Sequence, residues 1–167
     1  HDMEETLRQS GREVVFLRAA SFFENWHPVM GVARSQGILP SLVPTALEMA
    51  TVAAADIGET VGSLLVEGSG GVGTVGLDGP RTYSAEDVAR AVGARLGRPI
   101  AAVEVPLGVQ QGQLEAAGVP PAYAVEVVQL YRGILDGTVA REPGEFVKRG
   151  TTTIEEWVAA NVPREAA

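Results

Sequence analysis

The sequence predicts an α/β fold, and three observations carry that prediction. Short unbroken apolar runs, Val14 to Leu17 and Met49 to Ala55, suit strands covered on both faces, as in a parallel sheet. Between the runs lie segments whose apolar residues recur three and four apart, several opening on a capping residue. The 167 residues are 46% hydrophobic and 20% charged, a folded-domain composition long enough to bury a core without disulfides.

Met3 to Gln9 reads as the last turns of a helix stopped at Ser10-Gly11, with Gly11 at the left-handed position. Either the natural start is Met3, or the chain begins inside a larger unit. A strand at Val14 to Leu17 follows, within Glu13 to Arg18. The Met49 to Ala55 run leads into Asp56 as helix N-cap, with Glu59 in the capping-box position. Ile57, Val61, Leu64 and Leu65 then share one helix face. Thr74 to Asp78 is a third strand, ended by Gly79-Pro80. Ser84 caps a helix with Asp87 at its third position; Val88, Val92 and Leu96 form the stripe, and Gly97 and Pro99 the stop. Ile100 to Val105 is a fourth strand. Helical patterns follow at Gln110 to Ala117 and Ala122 to Asp136, where Ala124, Val127, Val128, Tyr131, Ile134 and Leu135 share a face. A last short helix starts at Thr153, with Glu156 completing its capping box.

Thirteen Lys and Arg against 21 Asp and Glu give a net charge of −8. That argues against a nucleic-acid partner, which needs a basic footprint. With no Cys and two His, thiolate chemistry and Cys- or His-rich metal centres are not expected. The weakly charged stretch from Val29 to Ala55 is broken by Gly31, Gly37, Pro40 and Pro44, so no membrane span is expected. The first turns carry Asp2, Glu4, Glu5 and Arg8 in place of an apolar leader, and a cytoplasmic location is the expectation.

Gly68-Ser69-Gly70-Gly71-Val72-Gly73 matches G-x-G-x-x-G letter for letter. A dinucleotide fingerprint needs those glycines between a strand and a helix N-terminus. Here a helix precedes and a strand follows, so the match reads as a connection. Asp56 is explained as a cap as well as by catalysis. Tyr83, Tyr123 and Tyr131 have no Lys four residues on, and Lys148 is the only Lys, so no catalytic residue is assigned. The unusual segment is Leu17 to His27, where a strand runs out into Ala19, Ala20 and Ser21 and then Phe22, Phe23, Glu24, Asn25, Trp26 and His27. Ligands of open α/β sheets bind at carboxyl ends of strands, and aromatics there offer flat surfaces for a ring. The same aromatics also suit an ordinary core, and both readings stay open.

Four patterns occur in order: Glu4-x-x-Leu7-x-x-Ser10-Gly11; Leu17-Arg18-x-x-x-Phe22-x-Glu24-Asn25; Ala54-Ala55-Asp56-Ile57-Gly58; and Leu77-x-Gly79-Pro80-x-x-Tyr83-Ser84-x-x-Asp87-Val88-Ala89. Together they resemble the NmrA-like branch of the atypical short-chain dehydrogenase/reductase family, over nearly the whole chain but only along the second half of such a protein. The resemblance implies the second half of a doubly wound, Rossmann-like parallel sheet plus a small α+β C-terminal substrate lobe. Residues 1–72 would form the partial Rossmann-like region with the nicotinamide-side loop, and 73–167 the lobe. It implies an NAD(P)H cofactor, with Ala20, Ser21, Phe22 and Asn25 beside the nicotinamide ring and Phe23, Trp26 and His27 in the substrate pocket. No phosphate-binding residue carries over, and a Lys that many relatives hold near the position of His1 is absent. The implied activity is an oxidoreductase acting on a quinone or a small carbonyl or enone. A non-catalytic redox sensor, and a cofactor-free lyase, isomerase, cyclase or binding module on the same fold, stay open beside it. The implied partners are a small-molecule substrate and a second polypeptide, the missing first half or another copy, completing the strand at Val14 to Leu17. The chain by itself would then hold the cofactor weakly or not at all.

Overall fold

A computed structural model describes residues 2–68, 73–140 and 146–164. The elements begin α1 (Asp2–Arg8), β1 (Phe16–Ala19), β2 (Ser21–Phe22), a 3-10 segment (Phe23–Val29), α2 (Met30–Gln36), β3 (Ile38–Ser41) and β4 (Met49–Val52). There follow α3 (Ala54–Glu67), β5 (Thr74–Asp78), β6 (Thr82–Tyr83), α4 (Ala85–Leu96) and β7 (Ala101–Glu104). The described chain ends with α5 (Leu107–Ala116), α6 (Pro121–Leu135), β8 (Val147–Arg149) and α7 (Ile154–Asn161). The fold is α/β with parallel sheets, as the alternation of apolar runs and amphipathic segments predicts. The chain divides into two units.

The first unit comprises His1–Asn25, Ala50–Thr82 and Pro143–Thr153. Its three-stranded sheet runs β1-β5-β8, all parallel, with Phe16 opposite Thr74 and Leu77 opposite Lys148. The first strand is Phe16–Ala19, two residues later than the expected Val14 to Leu17. Pairing decides this: β5 begins at Thr74, Phe16 N–H donates to Gly73 O at 3.0 Å, and the ladder starts there. Arg18 is tolerated inside the strand because its guanidinium meets the Glu4 carboxylate of α1. Beside this sheet β2 pairs with β4 in parallel, Ser21 opposite Thr51 and Phe22 opposite Val52. Gly79 is required where β5 ends, since a Cβ there would overlap the Thr51 carbonyl.

Two expectations about α3 are corrected. The helix starts at Ala54 with Ala53 as N-cap, so Asp56 lies inside its first turn and Glu59 is not in a capping box. The face of Ile57, Val61, Leu64 and Leu65 is not a buried stripe either. Leu65 is 82% exposed and Val66 87%, while Asp56 is the one buried residue of α3. The reason on the buried side is polar: the Asp56 carboxylate has hydrogen-bond donors to meet, while of the apolar face Ile57 and Leu64 are only half-buried. Of the glycine motif, Gly68 ends α3 at φ 79° and the Gly73 carbonyl opens the β1–β5 ladder. Its Ser69 to Val72, and with them the expected boundary at residue 72, lie outside the described residues.

The second unit comprises Trp26–Met49, Tyr83–Glu142 and Ile154–Ala167. Its centre is α4, packed on α7 and on the parallel pair β3–β7. The capping box forms as spaced: Ser84 Oγ accepts from Asp87 N–H at 3.2 Å and Ser84 N–H donates to Asp87 Oδ2 at 3.0 Å. Such a cap contributes about 1 kcal/mol. Val88, Val92 and Leu96 are buried, each stabilising by roughly 1.5–3 kcal/mol against exposure. The Tyr83 hydroxyl accepts from Ile154 N–H at 3.4 Å, holding the first turn of α7. Strand β3 holds Pro40 because the Ala101 and Val105 N–H groups donate to Gly37 and Ser41 O. That parity turns the Pro40 nitrogen to the open edge, where no donor is needed.

Candidate functional site

The segment after β1 is held down from three sides within the first unit. Ala20 N–H donates to Leu77 O at 2.8 Å, extending the ladder past Ala19. Ser21 and Phe22 then add to the end of β4, next to the point where α3 begins. The Glu24 carboxylate accepts from Ala54 N–H at 3.1 Å, supplying from thirty residues away the cap that Ala53 has no side chain to provide. Asn25 Nδ2 donates to Ser21 Oγ at 3.3 Å, closing the turn on itself. Phe23 is wholly enclosed and anchors the turn. Phe22 keeps 40% of its surface exposed, Asn25 is exposed, and Ala20 and Ser21 are half-buried. A flat aromatic face, two small residues and one amide are thus displayed just beyond a parallel strand's carboxyl end.

Asp56 is buried close by in sequence, and its role is structural. Thr152 donates to it twice, N–H to Oδ2 at 3.0 Å and Oγ1 to the other carboxylate oxygen at 2.7 Å. Gly150 leaves room for the carboxylate, which any Cβ there would strike. This clasp leaves no local signal in the sequence, because its partner lies 96 residues on.

Trp26 and His27 belong to the second unit. Trp26 is half-buried; His27 is exposed, its ring 5.0 Å from that of Trp157 and tilted by 36°. That unit carries an open cleft of about 630 Å³ between α4 and β7, lined among others by Ala89, Arg90, Gly93, Ala94, Arg98 and Ile100. None of the seven candidate residues lines this cleft. Among the described residues, no three His, Asp or Glu gather closely enough to hold a metal ion, and no helix is long and apolar enough to cross a membrane.

No family model and no curated protein matches the chain. Solved structures do. It is similar to a nucleoside-diphosphate-sugar epimerase from Staphylococcus aureus, at 16% identity and a TM-score of 0.71, over 93% of this chain and 55% of that one. It is also similar to a new type of NADPH-dependent quinone oxidoreductase from Escherichia coli, at 19% identity and a TM-score of 0.74, over 95% of this chain and 58% of that one. At such identities the likeness establishes the fold, a Rossmann-like α/β arrangement shared with reductases and epimerases. The chain spans little more than half the length of either structure.

Proposed function

We propose that this chain supplies the nicotinamide-facing part of an NmrA-like, NAD(P)H-dependent oxidoreductase that reduces a quinone or a small carbonyl or enone. The observation that carries the reading is the fixed turn Ala20 to Asn25, which presents the Phe22 ring and the Asn25 amide at a parallel strand's carboxyl end. These residues fit one end of the cofactor. The Phe22 face suits a nicotinamide ring and the Asn25 amide its carboxamide, while Ala20 and Ser21 permit close approach. They do not fit the pyrophosphate end. The described glycines of the motif end a helix and open a ladder, and the first N–H of α3 is taken by a carboxylate that would repel a phosphate. When bound, the cofactor supplies the two-electron reduction; the protein orients it and shapes the pocket.

A second polypeptide completes the arrangement in this proposal, pairing with the open edge of β1 and bringing the phosphate-binding turn. Titration with NADPH and with reduced nicotinamide mononucleotide, followed by backbone amide shifts, tests the reading. Weak binding of both ligands with equal affinity, with shifts concentrated at Ala20 to Asn25, supports it, and quinone-dependent NADPH oxidation then identifies the acceptor. Shifts confined to other residues, or no binding at millimolar ligand, overturn it.

A further inference from the structure

We infer that Glu24 is a positioning residue for the Ala20 to Asn25 surface, acting through the N-terminus of α3. This rests on the reading of that surface as the nicotinamide-facing one. Glu24 sits between Phe22 and Asn25, the two exposed side chains that the proposal uses; the residue is half-buried and its carboxylate is turned to Ala54 N–H. A carboxylate at a helix N-terminus is held by the orphan N–H and by the helix dipole together. The contact therefore has two ends. It completes a helix that has no cap of its own, and it pins the turn at a point beyond the two-residue β2–β4 ladder. Two residues of pairing do not by themselves fix the turn that follows. Phe23, buried beside Glu24, fixes depth, and the Glu24 contact fixes the turn's rotation about that anchor, hence where the Asn25 amide is presented.

The choice of substitution separates cap from position. Gln keeps a side-chain oxygen of the same reach and so keeps the hydrogen bond, losing only charge. Asp keeps the charge but is one methylene short of the 3.1 Å contact. Ala loses both. The full chain and its E24Q, E24D and E24A variants are compared by amide hydrogen exchange, thermal melting and titration with reduced nicotinamide mononucleotide. In E24A and E24D, exchange at Ala54 and at residues 21–25 is expected to rise together by about five- to tenfold, a lost cap's worth of local opening. Nucleotide affinity is expected to fall by a similar factor with the melting temperature little changed, and E24Q to restore both. If exchange rises at Ala54 alone, or affinity is equal in all four proteins, Glu24 is only a cap and the inference is overturned. If E24A does not fold, E24D against E24Q decides on the same criteria. Absence of nucleotide binding by the unsubstituted chain sinks the proposed function instead, and exchange at residues 21–25 still decides for or against Glu24.

Discussion

Arg18 in strand β1 grips the Glu4 carboxylate of helix α1 with two hydrogen bonds, 3.0 Å from Nε to Oε1 and 2.7 Å from Nη2 to Oε2. The planar fork matches the carboxylate, which is why a charge can stand inside a strand here. The same helix returns the favour at Arg8, whose guanidinium lies 4.8 Å from the centre of the Phe16 ring. Sequence neighbours are thereby folded back on the strand they precede.

The Arg18 hydrogen bond holds the Glu4 carboxyl below its ordinary value of 4.5. A lowered folded value means that the unfolded chain binds the proton more readily. The contribution is therefore fully present above the ordinary value and is lost as pH falls through the folded one. Melting curves in acid should show a pH dependence that flattens in E4Q and in R18M. Equal slopes for wild type and E4Q would mean that the pair does not contribute.

Removing the Asp56 carboxylate strands the Thr152 N–H and hydroxyl in a part-buried setting. D56A is expected to cost about 2–4 kcal/mol, and T152V, which keeps the N–H bond, about 1 kcal/mol. Their double variant should fall well short of the sum, because the two changes remove one shared interaction. Chemical denaturation measures all three, and strict additivity would refute the clasp.

Gln110 is buried in α5 with Nε2 donating to Leu42 O at 3.0 Å and to Val105 O at 2.9 Å, while its Oε1 has no partner among the described residues. Both acceptors are carbonyls, so the amide is fixed in orientation. Q110E places a carboxylate against those two oxygens and is expected to destabilise by about 3 kcal/mol or more near neutral pH. Its folded pKa is then raised, so stability should recover as pH falls below that value towards the ordinary one. A variant whose stability loss is independent of pH would count against the assignment.

What the sequence makes legible follows the range of the forces involved. The whole of α4 can be read locally, because Ser84, Asp87, the Val88, Val92 and Leu96 stripe and Gly97 lie within one helix length. Helix α3 is misplaced at its start because its cap, Glu24, is remote in sequence and Ala53 gives no signal. Strand β3 is hidden by Pro40, which pairing parity excuses, and β8 is too short for a periodic pattern. At the site, the strand's exit into small residues and aromatics marks the place. It does not mark which aromatic faces outward, since Phe22 and Phe23 are told apart only by the β2–β4 register.

Phe16 and Ala20 donate to Gly73 and Leu77, so the N–H groups of the alternate residues Leu17 and Ala19 point away from β5. In the order β1-β5-β8 no strand of the described residues stands on that side. The same unit exposes Met3 and Leu7 on α1 and Leu65 and Val66 on α3. Open edges and apolar side chains of this kind are templates for another chain, and a charge of −8 aids solubility without covering either. We therefore expect the edge to be taken by a second polypeptide in solution, the remaining part of the proposed enzyme or a further copy. Size-exclusion chromatography with light scattering at micromolar concentration reads the mass directly. A species at twice 17.5 kDa or more, converted towards monomer by a Pro at Leu17 or Ala19, is the expected result. A monomer of 17.5 kDa with a cooperative melt would show that the edge is stable without a partner.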